Sequence, residues 1–398
     1  MPNFLNRHIL RQALIALAFD LGGLLSGRIV LIFYPLFSSA PWILALFPPM
    51  LTVRGNIGGI LSGKLGTMLH IGQAEPRLRG NTREFYSFVR AVLALTFIDT
   101  VGIGILAFVI NFSFGNATLE HILFFLTIPP LACLLAMVIA VPIASFSGIL
   151  VFKKGFDPDV ILYPMMSTID DILVTVCYVV VVTIALVPSA PTVLSVVTII
   201  LGIVFLVMLV KYSRERIFKR TLVEGAPIVL LASLLGTFGG VGLAGLRKEI
   251  EKRPSILLLY PVLIDTLGDI GSILGAMETT KLALGYVASF WGALKETFAD
   301  LISLEIAAAT WHVLFGLAAF FIGKATGLNP DLAFLVMIAL VSNLISFLFI
   351  SLFSIGVATQ TFKRGLDPDN FVIPLVASVS DIGATLALMA AFAILGVW

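Results

Sequence analysis

Aspartates set inside long apolar stretches are the residues of this chain best placed to do chemistry. Residues 152–172, FKKGFDPDVILYPMMSTIDDI, return as FKRGLDPDNFVIPLVASVSDI at 362–382, so Asp171 and Asp381 are one acid kept twice, 210 residues apart. An ionisable group at mid-bilayer depth is costly and is tolerated mainly where it faces a bundle interior or a water-filled path. Pro164, Ser167 and Asp171 are spaced 3 and 4 apart, and Pro374, Ser378 and Asp381 are spaced 4 and 3, which puts each set on one helical face. Each proline removes a backbone donor and frees a carbonyl for a neighbouring cavity. Carboxylate, hydroxyl, amide and carbonyl oxygens select a hard divalent ion, whereas imidazole and thiolate select zinc or copper. Of the 4 histidines only His312 lies well inside an apolar stretch, where it reads as a hydrogen-bonded packing residue. Cys133 and Cys177 read as small hydrophobes, not as a disulfide or a metal cluster.

A second copied segment supplies the other wall. FPPMLTVRGNIGGILSG at 47–63 lies over YPVLIDTLGDIGSILGA at 260–276 at an offset of 213, pairing Arg54, Asn56 and Gly58 with Leu267, Asp269 and Gly271. Small residues let helices approach closely, which accounts for the glycines but not for Asn56 or Asp269. Asp171, Asp381, Asn56 and Asp269 are therefore the expected ion-path residues. Asp20, Asp99, Asp170, Asp265, Ser167 and Ser378 form a secondary set. Asp265 lies one turn before Asp269. Asp170 has only Ser380 as its counterpart, and adjacent helical residues point about 100° apart, so at most one of Asp170 and Asp171 is expected to face the axis. Asp20 and Asp99 each have an expected role as half of a neutralised pair with Arg28, Arg54 or Lys64. Several carboxylates in one cavity repel one another, and either a dication or a proton relieves that repulsion.

The elements that position these groups must be membrane helices. Hydrophobic residues make up 59% of the chain and charged residues 12%, with a mean hydropathy of +1.08, against roughly 25% charged in soluble domains. A helix needs about 20 apolar residues to cross the hydrocarbon core. Eleven stretches qualify, near 11–36, 42–70, 87–110, 120–150, 160–187, 192–210, 222–246, 255–284, 301–323, 330–357 and 370–396. The apolar runs are too long and too little alternating for a β-barrel. The second and eighth stretches are long and glycine-rich, and Pro48 and Pro49 lie in the second, so tilt, a re-entrant portion or a break is expected there.

The fold expected is thus an all-α membrane protein of about 11 transmembrane helices, with two parallel five-helix repeats. Residues 1–190 form the first repeat, 191–211 a linking transmembrane helix, and 212–398 the second repeat. An odd repeat would be inverted without the extra helix, and parallel repeats place equivalent side chains at equal depth. Lys and Arg divide 16 to 5 in favour of the side holding the N-terminus, which orients the N-terminus to the cytoplasm and the C-terminus to the opposite side. A plasma or cell membrane location follows, with membrane lipids as partners. A net charge of +2 and the lack of a sizeable soluble region give no basis for nucleic-acid binding.

Enzyme chemistry is not expected. GNIGG lacks the lysine-serine ending of a nucleotide loop, and LGDIG at 267–271 lacks the Gly-x-Gly-Asp of intramembrane aspartyl proteases because Thr266 takes the first glycine position.

GLDPDNFVIPLVASVSDIGATLAL at 365–388, its copy GFDPDVILYPMMSTIDDILVTVCY at 155–178, and RGNIGGILSGKLGTMLHIG at 54–72 together resemble the membrane domain of MgtE-type magnesium channels and the related eukaryotic magnesium solute carriers. The resemblance implies that Asp171 and Asp381 bind hydrated magnesium, that Asn56 is the matching second-span asparagine, and that Asp269 departs from it. It implies Mg²⁺, or Mn²⁺ or another divalent cation, as the transported ion, moving along an acidic path between the pseudo-symmetric halves. Two copies in one polypeptide imply a functional monomer. The cytosolic magnesium-sensing domains of bacterial members are not expected in these residues. A proton- or Na⁺-coupled carrier of another ion or small solute is the alternative, motivated by the surplus of embedded acids.

Overall fold

The computed structural model describes residues 5–70, 72–77, 80–154, 158–283, 285–287, 289–365 and 368–396. Gly155, Asp157 and Asp367 of the repeated Gly-x-Asp-Pro motif lie outside the described residues.

Among the described residues, eleven helical spans are long and apolar enough to cross a membrane. In order they are Arg7–Ile32, Pro41–Leu69, Arg83–Ser113, Leu119–Lys153, Leu162–Ala185, Ala190–Tyr212, Arg216–Gly239, Ile256–Thr279, Phe298–Ala325, Leu332–Lys363 and Phe371–Ile394. In hydrocarbon each backbone donor and acceptor must be satisfied within its own segment, which is why the chain resolves almost wholly into helix.

The expected break is absent from the second and eighth spans and present in the first. Helix Pro41–His70 continues through Pro48 and Pro49, and Ile256–Ala283 continues through Pro261. The first span instead consists of helix Arg7–Ala16, a 3₁₀ turn Phe19–Gly22 and helix Gly23–Ile32. Three residues at the turn, Asp20, Gly22 and Gly23, are poor helix formers. The indole of Trp311, from the ninth span, donates to the Leu14 carbonyl at 2.9 Å and so satisfies an oxygen that the broken ladder leaves over.

Two compact units partition the chain, and their cut differs from that of the sequence repeats. Phe33–Ala244 form one unit, and residues up to Ile32 together with Gly245–Trp398 form the other. The leading span of each repeat therefore packs with the remaining spans of the other repeat.

In the Phe33–Ala244 unit, Gly225 of the seventh span lies against Leu95, and Gly236 abuts Thr52 so closely that a Cβ would fall 2.1 Å from its hydroxyl. In the other unit, the first span is tied to the ninth by Asn6, which donates from Nδ2 to Asp300 at 2.8 Å while its backbone N–H donates to Ser303. The same Asn6 caps the first helix by accepting from the N–H groups of His8 and Ile9.

The linking span Ala190–Tyr212 contains no buried residue, so its Val and Ile side chains form a lipid-facing surface. It is held to its own unit by a stacked Phe97–Phe205 pair with centroids 4.9 Å apart and by the Arg90 guanidinium 4.1 Å over Tyr212.

Arg90 also donates to Glu215 at 2.9 Å at the end of this span. The neighbouring Ser87 hydroxyl and the Arg90 guanidinium hold the Glu215 carboxyl below its ordinary value of 4.5. A depressed folded value stabilises the fold above the unfolded pKa and loses that contribution as pH falls through the folded one. Glu215→Gln should therefore lower the melting temperature at pH 7 by the equivalent of less than about 1 kcal/mol, as befits a solvent-screened pair. Melts repeated below pH 4 should show the gap between variant and wild type closing; a constant gap would refute the assignment.

Candidate functional site

In the Phe33–Ala244 unit the second and fifth spans lie side by side, joined by the Tyr178 hydroxyl donating to the Ile43 carbonyl at 2.7 Å. This contact places Arg54, Asn56 and Gly58 opposite Ser167, Asp170 and Asp171. Arg54 forms an ion pair with Asp171, and its Nη1 donates to the Ser167 hydroxyl at 2.7 Å. Both charged groups are out of solvent, with Arg54 at 4% and Asp171 at 0% exposure. A charge pair taken out of water holds only when its geometry and additional hydrogen bonds offset the desolvation, and Ser167 supplies such a bond.

Asp170 and Asp171 both turn towards the second span. Their side chains diverge around the helix, but the facing strip is broad because Gly58 lacks a side chain. A Cβ built on Gly58 would fall 2.8 Å from the Asp170 Oδ2, so glycine is what gives this carboxylate room. Asn56 is buried on the same helix.

Asp99 pairs with no base among the described residues. Its Oδ1 accepts from the Ser233 hydroxyl at 2.7 Å, which links the third and seventh spans. The base expected for Asp20 or Asp99 is in fact spent on Asp171.

The other unit carries the second copy of the site without the arginine, since Leu267 stands at that position. Its eighth and eleventh spans pack through Gly271 and Gly275, where a Cβ would fall 2.3 Å from Val376 and 2.4 Å from Val372. A short relay fixes their register: the Tyr260 hydroxyl lies 3.0 Å from Thr385 Oγ1, which donates to the Asp381 carbonyl oxygen at 2.9 Å. Ser378 is buried and Asp381 half-buried on the eleventh span, while Asp265 and Asp269 are buried on the eighth. Asp20 of the first span is fully buried, and the charged groups acting on it are Asp269 and Asp265.

Arg54 is the site residue that sequence reasoning did not assign to Asp171. The signal was available, because Arg54 lies in the middle of the span Pro41–Leu69, two residues before Asn56. Lys281 belongs to a separate network, where it contacts Asp300 at 2.9 Å and Glu278 at 3.3 Å. His312 is a packing histidine as read from the sequence: buried, its Nδ1 lies 2.8 Å from the Ala308 carbonyl and its ring 5.7 Å from Phe315. Among the described residues no three His, Cys, Asp or Glu side chains close on one point as ligands of a bare ion.

The arrangement therefore consists of buried carboxylates on packed helices, one of them neutralised by a tethered guanidinium. Carboxylate oxygens of this kind are the donors a hard cation selects.

Comparison with known proteins agrees. The chain is 23% identical to the rat protein "Solute carrier family 41 member 3" (Rattus norvegicus) over 387 residues, covering 90% of this chain and 80% of the relative. The mouse protein of the same name (Mus musculus) matches at 23% over 386 residues, covering 90% of this chain and 76% of the relative. "Solute carrier family 41 member 2" of Xenopus laevis matches at 22% over 400 residues, covering 91% and 67%. No solved structure matches the chain. The MgtE family model, described as "Divalent cation transporter", matches twice, at residues 47–181 and 260–391, each match holding one copy of the repeated aspartate and one of the glycine-rich segment. Two family segments spanning most of the sequence, on eleven membrane-length helices, show that this chain belongs to the MgtE family of divalent cation transporters, which are not enzymes.

Proposed function

We propose that the divalent cation moved by this membrane protein is Mg²⁺, and that Asp171, Asp381, Asn56 and Asp269 carry it, with Asp20, Asp99, Asp170, Asp265, Ser167 and Ser378 in supporting positions. The observation that carries this reading is the burial of Asp171, Asn56 and Asp269 on helices that also bear the family segments. Mg²⁺ gives up its water reluctantly and is held through a few carboxylates and its own hydration shell.

The two copies are unequal. Arg54 already neutralises Asp171, so a dication must compete with a guanidinium there, whereas Leu267 offers no such competitor. Repeats 1–190 and 212–398, joined by 191–211, supply two family segments in one polypeptide, which supports a functional monomer. The 16 to 5 division of Lys and Arg supports an N-terminus in the cytoplasm, a C-terminus outside it, and a plasma or cell membrane location.

The test is Mg²⁺ flux into proteoliposomes containing a fluorescent indicator. Asp171→Ala with Asp381→Ala should cut the initial rate about tenfold or more, the kinetic equivalent of 1.4 kcal/mol or above. Wild-type rates in the double variant would remove these residues from the path. Imposed pH and Na⁺ gradients, run on the wild type, separate a passive route from a coupled carrier.

A further inference from the structure

The ninth and tenth spans meet across small residues, and an acid lies in the seam. A Cβ on Gly316 would fall 2.8 Å from the Val336 Cα, and one on Gly323 would fall 3.1 Å from the Pro330 Cγ. Glu305 precedes Gly316 by eleven residues, close to three whole helical turns, and so lies on the same face. There Asn343 of the tenth span donates from Nδ2 to Glu305 Oε1 at 2.9 Å. The first repeat has neither partner. Counted back from the helix-ending glycines Gly115 and Gly327, Leu93 stands where Glu305 does; counted back from the helix-ending Lys153 and Lys363, Cys133 stands where Asn343 does.

Only half of each group is satisfied. Glu305 Oε2 and Asn343 Oδ1 are shut off from solvent, and neither has a hydrogen-bond partner among the described residues. Nor does Glu305 make an ion pair among them. An ionised carboxylate only accepts, as does an amide oxygen, so no donor reaches the two vacant atoms and each carries the cost of burial without a bond. A proton on Oε2 turns that atom into a donor, and a carboxylic acid and a primary amide, both planar, close a ring of two hydrogen bonds.

Few charged groups lie near this pair. The tenth span has no titratable residue before Lys363. On the ninth span His312 lies two turns further along the same face with its Nδ1 on the Ala308 carbonyl, and a proton on its other nitrogen would make a buried cation. The first span carries Arg7, His8, Arg11, Asp20 and Arg28, but it is bonded to the ninth through Asp300, Ser303 and Trp311, which point away from Glu305. The eighth span carries Tyr260, Asp265, Asp269, Glu278 and Lys281, and its Lys281 likewise meets Asp300. Lys295 and Glu296, in the short helix Phe290–Glu296, are exposed.

We propose that Glu305 and Asn343 form a proton-binding site, in which a neutral carboxylic acid closes a two-bond ring with the amide and pins the ninth span to the tenth. The proton sits on Oε2 and is donated to Oδ1, while the bond already present runs from Nδ2 to Oε1. A dication would keep one charge unmatched beside a single carboxylate, whereas a proton leaves the pair neutral within the membrane. Losing that proton leaves a charge without a counter-ion, so the seam weakens as pH rises. The site lies outside the proposed ion path and stands whether or not Mg²⁺ is the ion moved.

The test uses the full-length protein in detergent micelles. Glu305→Gln is the matching variant, because its amide closes the same ring with Asn343 without a proton. The infrared difference between wild type and Glu305→Gln at pH 7 should show a protonated-carboxyl band carried by the wild type alone. Its absence would mean that Glu305 is ionised and would overturn the site. Melts supply a second readout: a proton held by the folded state and released on unfolding makes stability fall as pH rises. Between about pH 6 and 8 the folding constant of the wild type should therefore drop, relative to that of Glu305→Gln, by up to about tenfold per pH unit. Parallel pH profiles would count against the proposal just as firmly. Asn343→Leu keeps the acid and removes its partner, so it remains readable if the glutamine variant fails to fold. The carboxyl band should then move to the higher frequency of an unbonded acid, and an unmoved band would refute the ring.

Discussion

Arg54→Leu, the substitution that copies the second repeat into the first, should make the stability of this protein depend on divalent cations. Asp171 has 0% exposure and is paired with the Arg54 guanidinium. Removing one member of a buried pair strands the other, at a cost of about 3–5 kcal/mol. A dication that occupies the vacated position restores stability by mass action, by about 2.7 kcal/mol when its concentration is a hundred times its dissociation constant. Thermal melts of the variant should fall well below wild type in chelator and recover as Mg²⁺ is added. Replacing both residues, Arg54→Leu with Asp171→Leu, should recover most of the stability without any ion, because apolar side chains of similar volume substitute well for a buried pair. The reading fails if Arg54→Leu melts like wild type in chelator, since Arg54 would then not be the counter-ion that Asp171 needs.

Gly104→Ala is expected to have the largest effect of any single methyl group added to the Phe33–Ala244 unit. The third and fourth spans touch at this residue, and a Cβ there would fall 2.2 Å from the Phe125 carbonyl oxygen and 3.3 Å from its carbon. These are backbone atoms of a helix, so no side-chain rotation relieves the clash and the two spans must separate. Overpacking of this kind costs about 1–3 kcal/mol and sometimes more. Close backbone approach is also the chief attraction between helices in lipid, where neighbouring apolar side chains gain nothing over the hydrocarbon around them. Melting in detergent should show a clear loss for Gly104→Ala. Gly72→Ala tests instead the cost of a residue with positive φ and no atom nearby, where strain without a clash predicts a smaller loss. A Gly104→Ala melt equal to wild type would mean that these spans do not meet as described.

The membrane class, the eleven spans and the doubled architecture were all legible in the sequence, because each depends on local quantities. Twenty apolar residues suffice to define a span whatever surrounds them, and the copied segments at offsets of 210 and 213 report duplication without any geometry. The buried state of Asp171, Asn56 and Asp269 followed for the same reason: an acid or amide in the middle of such a span has no water to face unless neighbouring helices provide it.

What required the tertiary structure was every question of partnership. Sequence placed Arg54 within a turn of Asn56, yet its choice of Asp171 depends on how the second and fifth spans are registered, which Tyr178 and the Ile43 carbonyl set from 135 positions apart. The break was expected at prolines and glycines of the second and eighth spans. It occurs in the first, at an Asp-Leu-Gly-Gly sequence, where Trp311 of another span takes the Leu14 carbonyl. The exchange of leading spans was likewise invisible, since repeats are read along the chain while packing is decided by which glycine faces which backbone: Gly27 against Leu257 in one unit, Gly236 against Thr52 in the other. Sequence thus determined which groups must be buried in this protein, and tertiary packing decided which of them share a charge.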